Sequence, residues 1–407
     1  MKKTTILTIT AMIMVAVISV FLTLTAVNIF NTWEEKRDQS VYIKLDPSVS
    51  PALIYKFNEV TQRLKDDYIG EVDDNTLLEG AIAGLAMSLG DPYTLYVPKD
   101  IMQLMQEKSD GRYSGIGVTI TLPKEGVGTL VLIVNEDGPA NASGMVPGDR
   151  IVKIDGVDVS NEENLEYIAS LVKGEVGTAV SITVYRESVK DFITFTIKRA
   201  IINTINVAGR MEMEDIGYIR IYSFSQDSHT EFARIFNELV DMGMRRLVID
   251  VRDNPGGSLT AIIRIADMFI SEGLITYTID RNEKKTEYYA RKSGVDLPIV
   301  LLINENSASA SEMLAGALKD NGIATVVGVN SYGKGLVQGV YTLSDGSGLR
   351  VTIARYYTPS GISIDGDGIE PNETVLSLEE YLGSPLALIP REKDVQLDRA
   401  LEILLNR

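Results

Sequence analysis

The strictest constraint on the fold is an alternation of strand-like and helix-like segments between about residue 206 and residue 328. Aliphatic runs such as "RLVID" and "IVLLIN" have the length of buried strands, and the amphipathic stretches between them have the length of helices. Strands joined through helices pair in parallel, so the alternation predicts an α/β layer architecture with a largely parallel sheet. Strand-like "GLVQGVYTL" and "SGLRVTIARYY" follow, and then the amphipathic helix "DVQLDRALEILL".

Two further regions precede this one. Residues 113–200 consist of short alternating strands with turns at Gly and Asp, interrupted by the helix "NEENLEYIASLVKG", and predict a compact β-rich module. Residues 52–108 have a helical period. Their apolar stripe is predicted to pack in a core, with part of the surface available to a dimer; the stripe consists of Leu78, Ile82, Leu85 and Leu89.

The N-terminal segment 6–30 carries no charge. As a helix it would cross a hydrocarbon core of roughly 30 Å. Lys2 and Lys3 precede it and predict a cytoplasmic N-terminus, so that everything after Trp33 lies outside. The alternative is a cleaved signal peptide, but "LTLTA" is a poor cleavage site, and we favour an uncleaved signal anchor followed by a polar linker.

Composition excludes several classes of function. The chain has 39 basic and 56 acidic residues, which argues against nucleic acid as the main partner. It has no Cys and one His, so cysteine proteases and thiolate or His-rich metal sites are excluded. A Ser-His-Asp triad would have to use His229, which stands in the polar stretch "SFSQDSHTEF" and is predicted to be a solvated loop residue.

The stretch "GVNSYGKG" (328–335) is close to a phosphate-binding P-loop. Gly328, Gly333 and Lys334 fit that pattern, and Asp250 at the end of "RLVID" resembles the Mg²⁺ ligand of nucleotide hydrolases. Gly335, however, replaces the hydroxyl residue that would hold Mg²⁺, and a strand rather than a helix follows. A nucleotide hydrolase is therefore the weaker alternative.

A serine-rich turn offers a different chemistry. In "IVLLINENSASASEML" a strand leads through a turn into a helix, where a serine can expose its hydroxyl beside free backbone N–H groups. Taken alone, Ser307, Ser309 and Ser311 are better explained as turn and cap residues. Without a usable His, a nucleophilic serine needs another base, and a neutral lysine can act as one.

Lys334 meets part of that requirement. Activity near pH 7 needs its pKa lowered by roughly 3 units, which desolvation can supply. No acidic residue follows it in the chain until Asp345. Gln338, four residues on, would share a strand face with the lysine and could orient the amine without restoring its charge.

These segments closely resemble the carboxy-terminal processing peptidases, also called tail-specific serine proteases. The resemblance covers residues 75–376 in order, through "LLEGAIAGLAMSLGDPYTLYV", "IDVRDNPGG", "NENSASASEMLAGALKDNG", "GKGLVQ" and "YTPSGISIDGDGIEPN". It implies Ser309 as nucleophile, Lys334 as general base and Gln338 as the residue that orients the base. It also implies an oxyanion hole made by the N–H of Ala310 and of either Gly256 or Gly257.

The stretch "YSGIGV" (113–118) resembles the carboxylate-binding loop of PDZ domains, and "GDRIVKIDGVDV" resembles a PDZ strand pair. The family carries a circularly permuted PDZ module at this place. The resemblance implies that protein C-terminal tails bind here by adding a strand. The expected binding residues are Ser114, Gly115, Ile116, Gly117 and Val118.

The resemblance further implies a ClpP/crotonase-like α/β protease core with an inserted PDZ domain and terminal helices. We expect no metal, nucleotide or other cofactor, and a homodimer is predicted. The expected role is regulatory or quality-control proteolysis outside a bacterial cytoplasm, and the alternative is an inactive PDZ scaffold that binds C-termini. The predicted segments are a signal anchor (1–31), a linker (32–50), a helical region (51–112), the PDZ domain (113–200), the Ser-Lys core (201–376) and a helical end (377–407).

Overall fold

The computed structural model describes residues 49–109, 111–123, 126–135, 137–291 and 294–406. The membrane-spanning helix predicted over residues 6–30 and most of the linker lie outside these residues. Of the helices in the described ranges, none combines the length and the apolar character needed to cross a membrane. The chain divides into two compact units, one ending at Gly80 and the other beginning at Ala81.

Two helices, α1 (Pro51–Asp67) and α2 (Asp74–Met87), form at the predicted N-terminal helical stretches. Pro51 stands in the first turn of α1, where its missing N–H would have had no helical acceptor. At the start of α2, the Asp73 carboxylate accepts the backbone N–H of Thr76 at 2.8 Å, which satisfies one of the free donors of that helix end.

The prediction that the apolar stripe of this region packs in a core is wrong for the described chain. Its four side chains are between 42% and 71% exposed, namely Leu78, Ile82, Leu85 and Leu89. Helical period establishes that apolar residues share one face of a helix, but it does not supply a partner for that face. These side chains are therefore an exposed apolar surface.

A short strand, β1 (Leu95–Val97), and helix α3 (Lys99–Ser109) lead into the predicted β-rich module. The elements of the module are β2 (Arg112–Gly115), β3 (Val118–Thr121), β4 (Thr129–Val134), α4 (Pro139–Ala142), β5 (Arg150–Ile154), β6 (Val157–Asp158), α5 (Leu165–Val172), β7 (Ala179–Arg186), β8 (Asp191–Lys198) and β9 (Ala200–Asn203).

Most of these strands form one antiparallel sheet in the order β3-β4-β5-β7-β8, with β6 beside β5. Alternating residues of β7 point into a core with Ile151 and Ile168, as the period of two in the sequence predicts. Strand β3 pairs only with β4, so one of its edges is open among the described residues. Strands β2 and β9 pair with each other in a separate two-stranded ribbon.

The remaining chain forms the predicted α/β region. Its elements are β10 (Val207–Met211), β11 (Ile216–Ile221), α6 (Ser228–Asp241), β12 (Arg246–Asp250), α7 (Leu259–Asp267), β13 (Leu274–Asp280), β14 (Lys285–Tyr289), β15 (Ile299–Ile303), α8 (Ala310–Asp320), β16 (Ala324–Gly328), β17 (Leu336–Thr342), β18 (Gly348–Tyr357), β19 (Glu373–Thr374) and α9 (Val395–Leu405).

The predicted parallel sheet is present in the order β10-β11-β12-β15-β16-β19. Every pair from β11 to β19 is parallel, and only the edge pair β10–β11 is antiparallel. One face packs against α6, α7 and α8, and the other against α9, so both faces are buried. Strand β13, part of the predicted alternation, instead joins an antiparallel sheet with β1, β14, β17 and β18.

Helix α9 is fastened to the parallel sheet by a buried ion cluster. The guanidinium of Arg252 contacts Asp250 Oδ2 at 2.6 Å and Asp394 Oδ1 at 2.7 Å. Asp394 also caps α9 by accepting the N–H of Leu397. Asp250, the Mg²⁺ ligand of the nucleotide-hydrolase alternative, is thus fully buried in an ion pair.

Candidate active site

The turn between β15 and α8 presents one serine and buries two. The hydroxyl of Ser307 donates to the carbonyl of Val251 at 2.8 Å, and that of Ser311 donates to the carbonyl of Asn254 at 2.9 Å; both side chains are buried. Ser309 is only half-buried. Its φ of 55° lies in the left-handed region, where a residue with a Cβ is held only by its surroundings. The turn therefore separates Ser309 from its two neighbours.

The "NPGG" turn, residues 254–257, lies directly against Ser309. A Cβ added at Gly256 would stand 2.9 Å from the Cβ of Ser309 and 2.9 Å from the nitrogen of Ala310. The N–H of Gly256 donates to the side-chain oxygen of Asn254 at 2.9 Å. No acceptor for the N–H of Gly257 or of Ala310 is found within the described ranges. Of the two predicted glycines, Gly257 is thus the one whose N–H is available.

A buried glutamate joins the serine turn to the lysine loop. One carboxylate oxygen of Glu312, Oε2, accepts the backbone N–H of Ser309 at 2.7 Å and that of Lys334 at 2.9 Å. The other oxygen accepts the N–H of Gly333 at 2.6 Å and the hydroxyl of Ser331 at 2.7 Å. Four donors converge on one side chain with no solvent exposure. Glu312 therefore fixes the two predicted catalytic segments to each other.

Sequence reasoning missed Glu312. The predicted surroundings of Lys334 considered only neighbours along the chain and found no acid before Asp345, whereas Glu312 reaches the lysine loop from another element. The available signal was its position three residues after Ser309, the spacing of a capping box at a helix start.

Lys334 is half-buried, and its Nζ lies 4.7 Å from the centroid of the Tyr93 ring. Burial lowers the pKa of the Lys334 amine below that of an ordinary lysine, and the positive charge of Arg350 lowers it further. The carboxylate of Glu312 acts in the opposite direction, and the net shift of the pKa is downward. The predicted direction of the shift is thus present, and the structure adds Tyr93 and Arg350 as neighbours that the sequence did not indicate.

The spacing argument for Gln338 assumes that it shares one strand with Lys334. Lys334, however, precedes β17, which begins at Leu336 and contains Gln338. The argument from even spacing along one strand is therefore wrong. The side-chain Nε2 of Gln338 donates to the carbonyl of Leu336 at 3.1 Å.

The structure also places Tyr356 and His229. The hydroxyl of Tyr356 is buried and has no hydrogen-bond partner within the described ranges. Burial raises the pKa of Tyr356 well above its usual value, while the nearby Ser309 side chain acts to lower it. His229 stands in the first turn of α6, not in a loop, and its ring contacts Gln226, Thr230 and Arg264.

The predicted carboxylate-binding loop lies between β2 and β3. The carbonyls of Ile116 and Gly117 accept the N–H groups of Ala140 and Asn135, while their own N–H groups have no acceptor among the residues described. Gly117 has φ 82°, and this conformation turns the chain into the open-edged strand β3, which starts at Val118. The Ser114 hydroxyl donates to the carbonyl of Gly174 at the end of α5, and Gly115 is held in β2.

No group of three or more His, Asp or Glu side chains that could hold a metal ion occurs within the described residues.

Three family models match the chain. "Peptidase family S41" matches residues 215–375, "PDZ domain" matches residues 131–186, and "Activating protease CtpB N-terminal domain" matches residues 12–101.

Characterised sequences give the same result. The carboxyl-terminal-processing protease of Picosynechococcus sp. is 37% identical over 329 residues, which are 80% of this chain and 78% of that protein. The carboxy-terminal processing protease CtpB of Bacillus subtilis is 32% identical over 339 residues, 82% of this chain and 70% of that protein.

Solved structures agree with these sequence matches. The photosystem II D1 C-terminal processing protease is 28% identical, with a TM-score of 0.50, over 82% of this chain and 92% of that one. A putative S41 protease from Bacteroides fragilis, at 17% identity, shares the fold with a TM-score of 0.54, over 90% of this chain and 99% of that one. The family predicted from the sequence motifs is confirmed. The chain belongs to peptidase family S41, the carboxyl-terminal-processing proteases, and is a serine peptidase with a PDZ domain.

Proposed function

We propose that this peptidase cleaves proteins outside the cytoplasm, using Ser309 as nucleophile, Lys334 as general base and Gln338 as an accessory residue. The observation that carries the proposal is the carboxylate of Glu312, which accepts N–H groups from both the serine turn and the lysine loop. It holds together two segments that are separate in the chain. The lowered pKa of Lys334 supports a base that is neutral in a larger fraction of molecules than an ordinary lysine.

The reaction follows from these positions. The Ser309 Oγ attacks the carbonyl carbon of the scissile peptide bond, and its proton passes to Lys334 Nζ. The negative charge that forms on the carbonyl oxygen is stabilised by the N–H groups of Ala310 and Gly257. The C–N bond then breaks, and Lys334 returns the proton to the leaving amine. Water attacks the acyl-enzyme and gives a proton to Lys334. The bond from the carbonyl carbon to Ser309 Oγ then breaks, and Lys334 returns the proton to Oγ as the acid is released.

We assign the second oxyanion donor to Gly257 and not to Gly256. The N–H of Gly256 is already donated to Asn254, whereas that of Gly257 has no acceptor among the described residues. Gly256 contributes the close approach of the turn to Ser309, which a side chain would prevent.

Fewer contacts support the proposed role of Gln338 than support the roles of Ser309 and Lys334. Its amide donates to Leu336, so it orients Lys334 only if the side chain turns from that carbonyl toward the amine.

The PDZ domain is proposed to select substrates by their C-terminal tails. A tail added to the open edge of β3 would place its carboxylate against the N–H groups of Ile116 and Gly117. Gly115, Ser114 and Val118 would shape the loop rather than bind through their side chains.

The location and assembly also stay proposals. The uncharged segment 6–30, preceded by Lys2 and Lys3, would anchor the chain in a cell membrane with the catalytic part outside. The exposed apolar surface of α2 suits a second copy of the chain, and hence a homodimer. We also propose the domain bounds given above and a ClpP/crotonase-like core.

The test is cleavage of a permanently unfolded protein, such as carboxymethylated α-lactalbumin, with and without its last few residues. We expect cleavage that resists a metal chelator, is abolished in Ser309→Ala and Lys334→Ala, and falls when the tail is removed. Circular dichroism should show that both variants keep the fold. Tail binding without cleavage by the unmodified chain would instead identify an inactive scaffold, and full activity of Lys334→Ala would refute the base.

A further inference from the structure

The segment from Asp91 to Val97 precedes both the PDZ module and the protease core in the chain, yet it is bound to the core. The side chain of Asp91 accepts the N–H of Tyr93 at 3.0 Å and the hydroxyl of Thr94 at 2.6 Å, which forms a tight turn. The following strand, β1, pairs antiparallel with β18, with Leu95 opposite Arg350.

Two hydrogen bonds to β18 fix the turn itself. The carbonyl of Tyr93 accepts Nε of Arg350 at 3.0 Å, and the buried hydroxyl of Thr94 accepts the N–H of Thr352 at 3.0 Å. Both contacts join residues that are more than two hundred positions apart in the chain. The backbone that follows the Tyr93 side chain is therefore held in place by the protease core, and Asp91 holds the backbone N–H of Tyr93.

The held side chain is directed at the proposed base. The Nζ of Lys334 lies 4.7 Å from the centroid of the half-buried Tyr93 ring, within the range of a cation–π contact. Burial, and then the neighbouring Tyr332 hydroxyl, raise the pKa of Tyr93, so its hydroxyl stays neutral. The ring therefore covers part of the amine with an apolar face and adds no charge.

We propose that Tyr93 is a positioning residue for Lys334, that its ring excludes water from the amine and fixes its direction, and that residues 91–97 therefore belong to the catalytic apparatus. The inference rests on the proposed role of Lys334 as general base. It follows that the segment matched by the S41 family model, residues 215–375, does not contain the complete site.

The ring has two opposing effects on the amine. Exclusion of water favours the neutral form, whereas the cation–π contact favours the charged form. A partly exposed cation–π contact contributes only about 0.5–1 kcal/mol, less than one pKa unit, and burial is the largest influence on the pKa of Lys334. Removing the ring should therefore raise the pKa of Lys334.

Other charged groups also act on the two side chains. Arg350 of β18 and Glu312 of α8 act on the Lys334 amine. Asp91 and Asp365 are among those that act on Tyr93.

The experiment compares Tyr93→Phe, Tyr93→Leu and Tyr93→Ala in the full chain. Initial rates on fluorescein-labelled casein at low substrate concentration report kcat/KM, whose rising limb with pH follows the pKa of the free base. Phe keeps the ring, Leu keeps an apolar cover without the ring, and Ala admits water. An upward shift of one unit lowers the neutral fraction, and hence the rate at neutral pH, about tenfold.

We expect Tyr93→Phe to keep the rising limb of kcat/KM at the pH found for the unmodified enzyme. Tyr93→Ala should move the rising limb to higher pH, with about a tenfold loss of rate at pH 7. Tyr93→Leu should move it less than Tyr93→Ala. The control is Tyr289→Ala, at an exposed tyrosine on β14. This variant should change neither the pH of the rising limb nor the rate of cleavage at pH 7. A limb that stays in place or moves to lower pH in Tyr93→Ala overturns the inference, whatever the rate.

Parallel assays of Ser309→Ala and Lys334→Ala separate this outcome from failure of the proposed function. Continued cleavage by Ser309→Ala would refute Ser309 as the nucleophile, and continued cleavage by Lys334→Ala would refute Lys334 as the base. Loss of cleavage in both, with an unmoved limb in Tyr93→Ala, would overturn only the role of Tyr93.

Discussion

Ser309 and Lys334 donate their backbone N–H groups to the same atom, Oε2 of Glu312, at 2.7 Å and 2.9 Å. The two backbone nitrogens are consequently less than about 6 Å apart, since each is within a hydrogen bond of one oxygen. The side chain of Glu312 is fully buried, and both of its oxygens accept at least two donors. The relative position of the nucleophile and the base is thus set by main-chain contacts to a third residue.

Glu312→Gln should strongly reduce cleavage and destabilise the protein. A glutamine of the same size has one accepting oxygen, so at least one pair of buried donors loses its acceptor, and each unsatisfied group costs about 1–3 kcal/mol. We expect a loss of several kcal/mol in chemical denaturation. The control is Glu379→Gln, a glutamate outside this cluster. An active and fully stable Glu312→Gln variant would show that the carboxylate does not fix the two segments.

The same substitution has a predictable effect on pH dependence. The Glu312 carboxylate raises the pKa of Lys334, in opposition to burial and Arg350. Any residual activity of Glu312→Gln should therefore have its rising limb at lower pH than the unmodified enzyme. Arg350→Gln removes a positive charge and should move the limb to higher pH, while Arg350→Lys keeps the charge and should move it less.

Gly256→Ala and Gly257→Ala should each inactivate the enzyme. A Cβ at Gly256 would stand 2.7 Å from the carbonyl of Ala308, and one at Gly257 would stand 2.2 Å from the carbonyl of Phe224. Gly243 also has a positive φ, but its Cβ would meet nothing within 4 Å, so Gly243→Ala should cost about 1 kcal/mol and leave cleavage intact. The measurements are thermal unfolding and casein cleavage. Wild-type activity of the Gly256 variant would contradict the close packing of the two turns.

The ion cluster under α9 predicts how stability depends on pH. Although burial opposes ionisation, Arg252 holds the pKa of Asp250 below its usual value. A carboxylate with a lowered folded pKa stabilises the protein above its ordinary pKa, and this contribution is lost as the pH falls through the folded value. We therefore expect the free energy of unfolding to fall as the pH drops below about 4, because this contribution is then lost.

Asp394→Asn tests that contribution. The change leaves the Arg252 charge with one buried partner in place of two, and breaking a buried pair typically costs about 3–5 kcal/mol. The free energy of unfolding at pH 7 should fall by a similar amount. Asp398→Asn, at an exposed site on the same helix, is the control. Equal stability of the Asp394 and Asp398 variants would show that the ion cluster does not stabilise the packing of α9 against the sheet.

Tail recognition predicts a requirement for a free carboxylate. Amidation of a peptide's C-terminus removes the charge that the N–H groups of Ile116 and Gly117 would bind, and a charge-assisted contact of about 1.5–3 kcal/mol corresponds to at least tenfold in affinity. Fluorescence anisotropy with matched acid and amide peptides measures the difference. Equal affinity for both would exclude the loop as a carboxylate site.

The sequence predicted the element types well, because each signal was local. The parallel sheet follows from aliphatic runs separated by amphipathic stretches, and the open-edged strand after Gly117 follows from alternation and a glycine turn. The family motifs likewise placed Ser309 and Lys334 on the loops where the structure has them.

What the sequence did not predict depends on contacts between distant parts of the chain. Glu312 and Tyr93 reach Lys334 from separate elements, so a list of neighbours along the chain contains neither. Lys334 lies before β17, so spacing along that strand does not define its position relative to Gln338. The stripe through Leu78 has the period of a buried face but no partner in the described chain, since period does not specify what covers it.

The central claim is that the Lys334 amine is neutral in a larger fraction of molecules than an ordinary lysine. The direct measurement is an NMR titration of ¹³Cε-labelled lysines in the full chain, with the Lys334 signal identified by its loss in Lys334→Arg. The account predicts a midpoint clearly below the ordinary value of about 10.4, rising in Arg350→Gln. A midpoint at or above the ordinary value would contradict Lys334 as the base that activates Ser309.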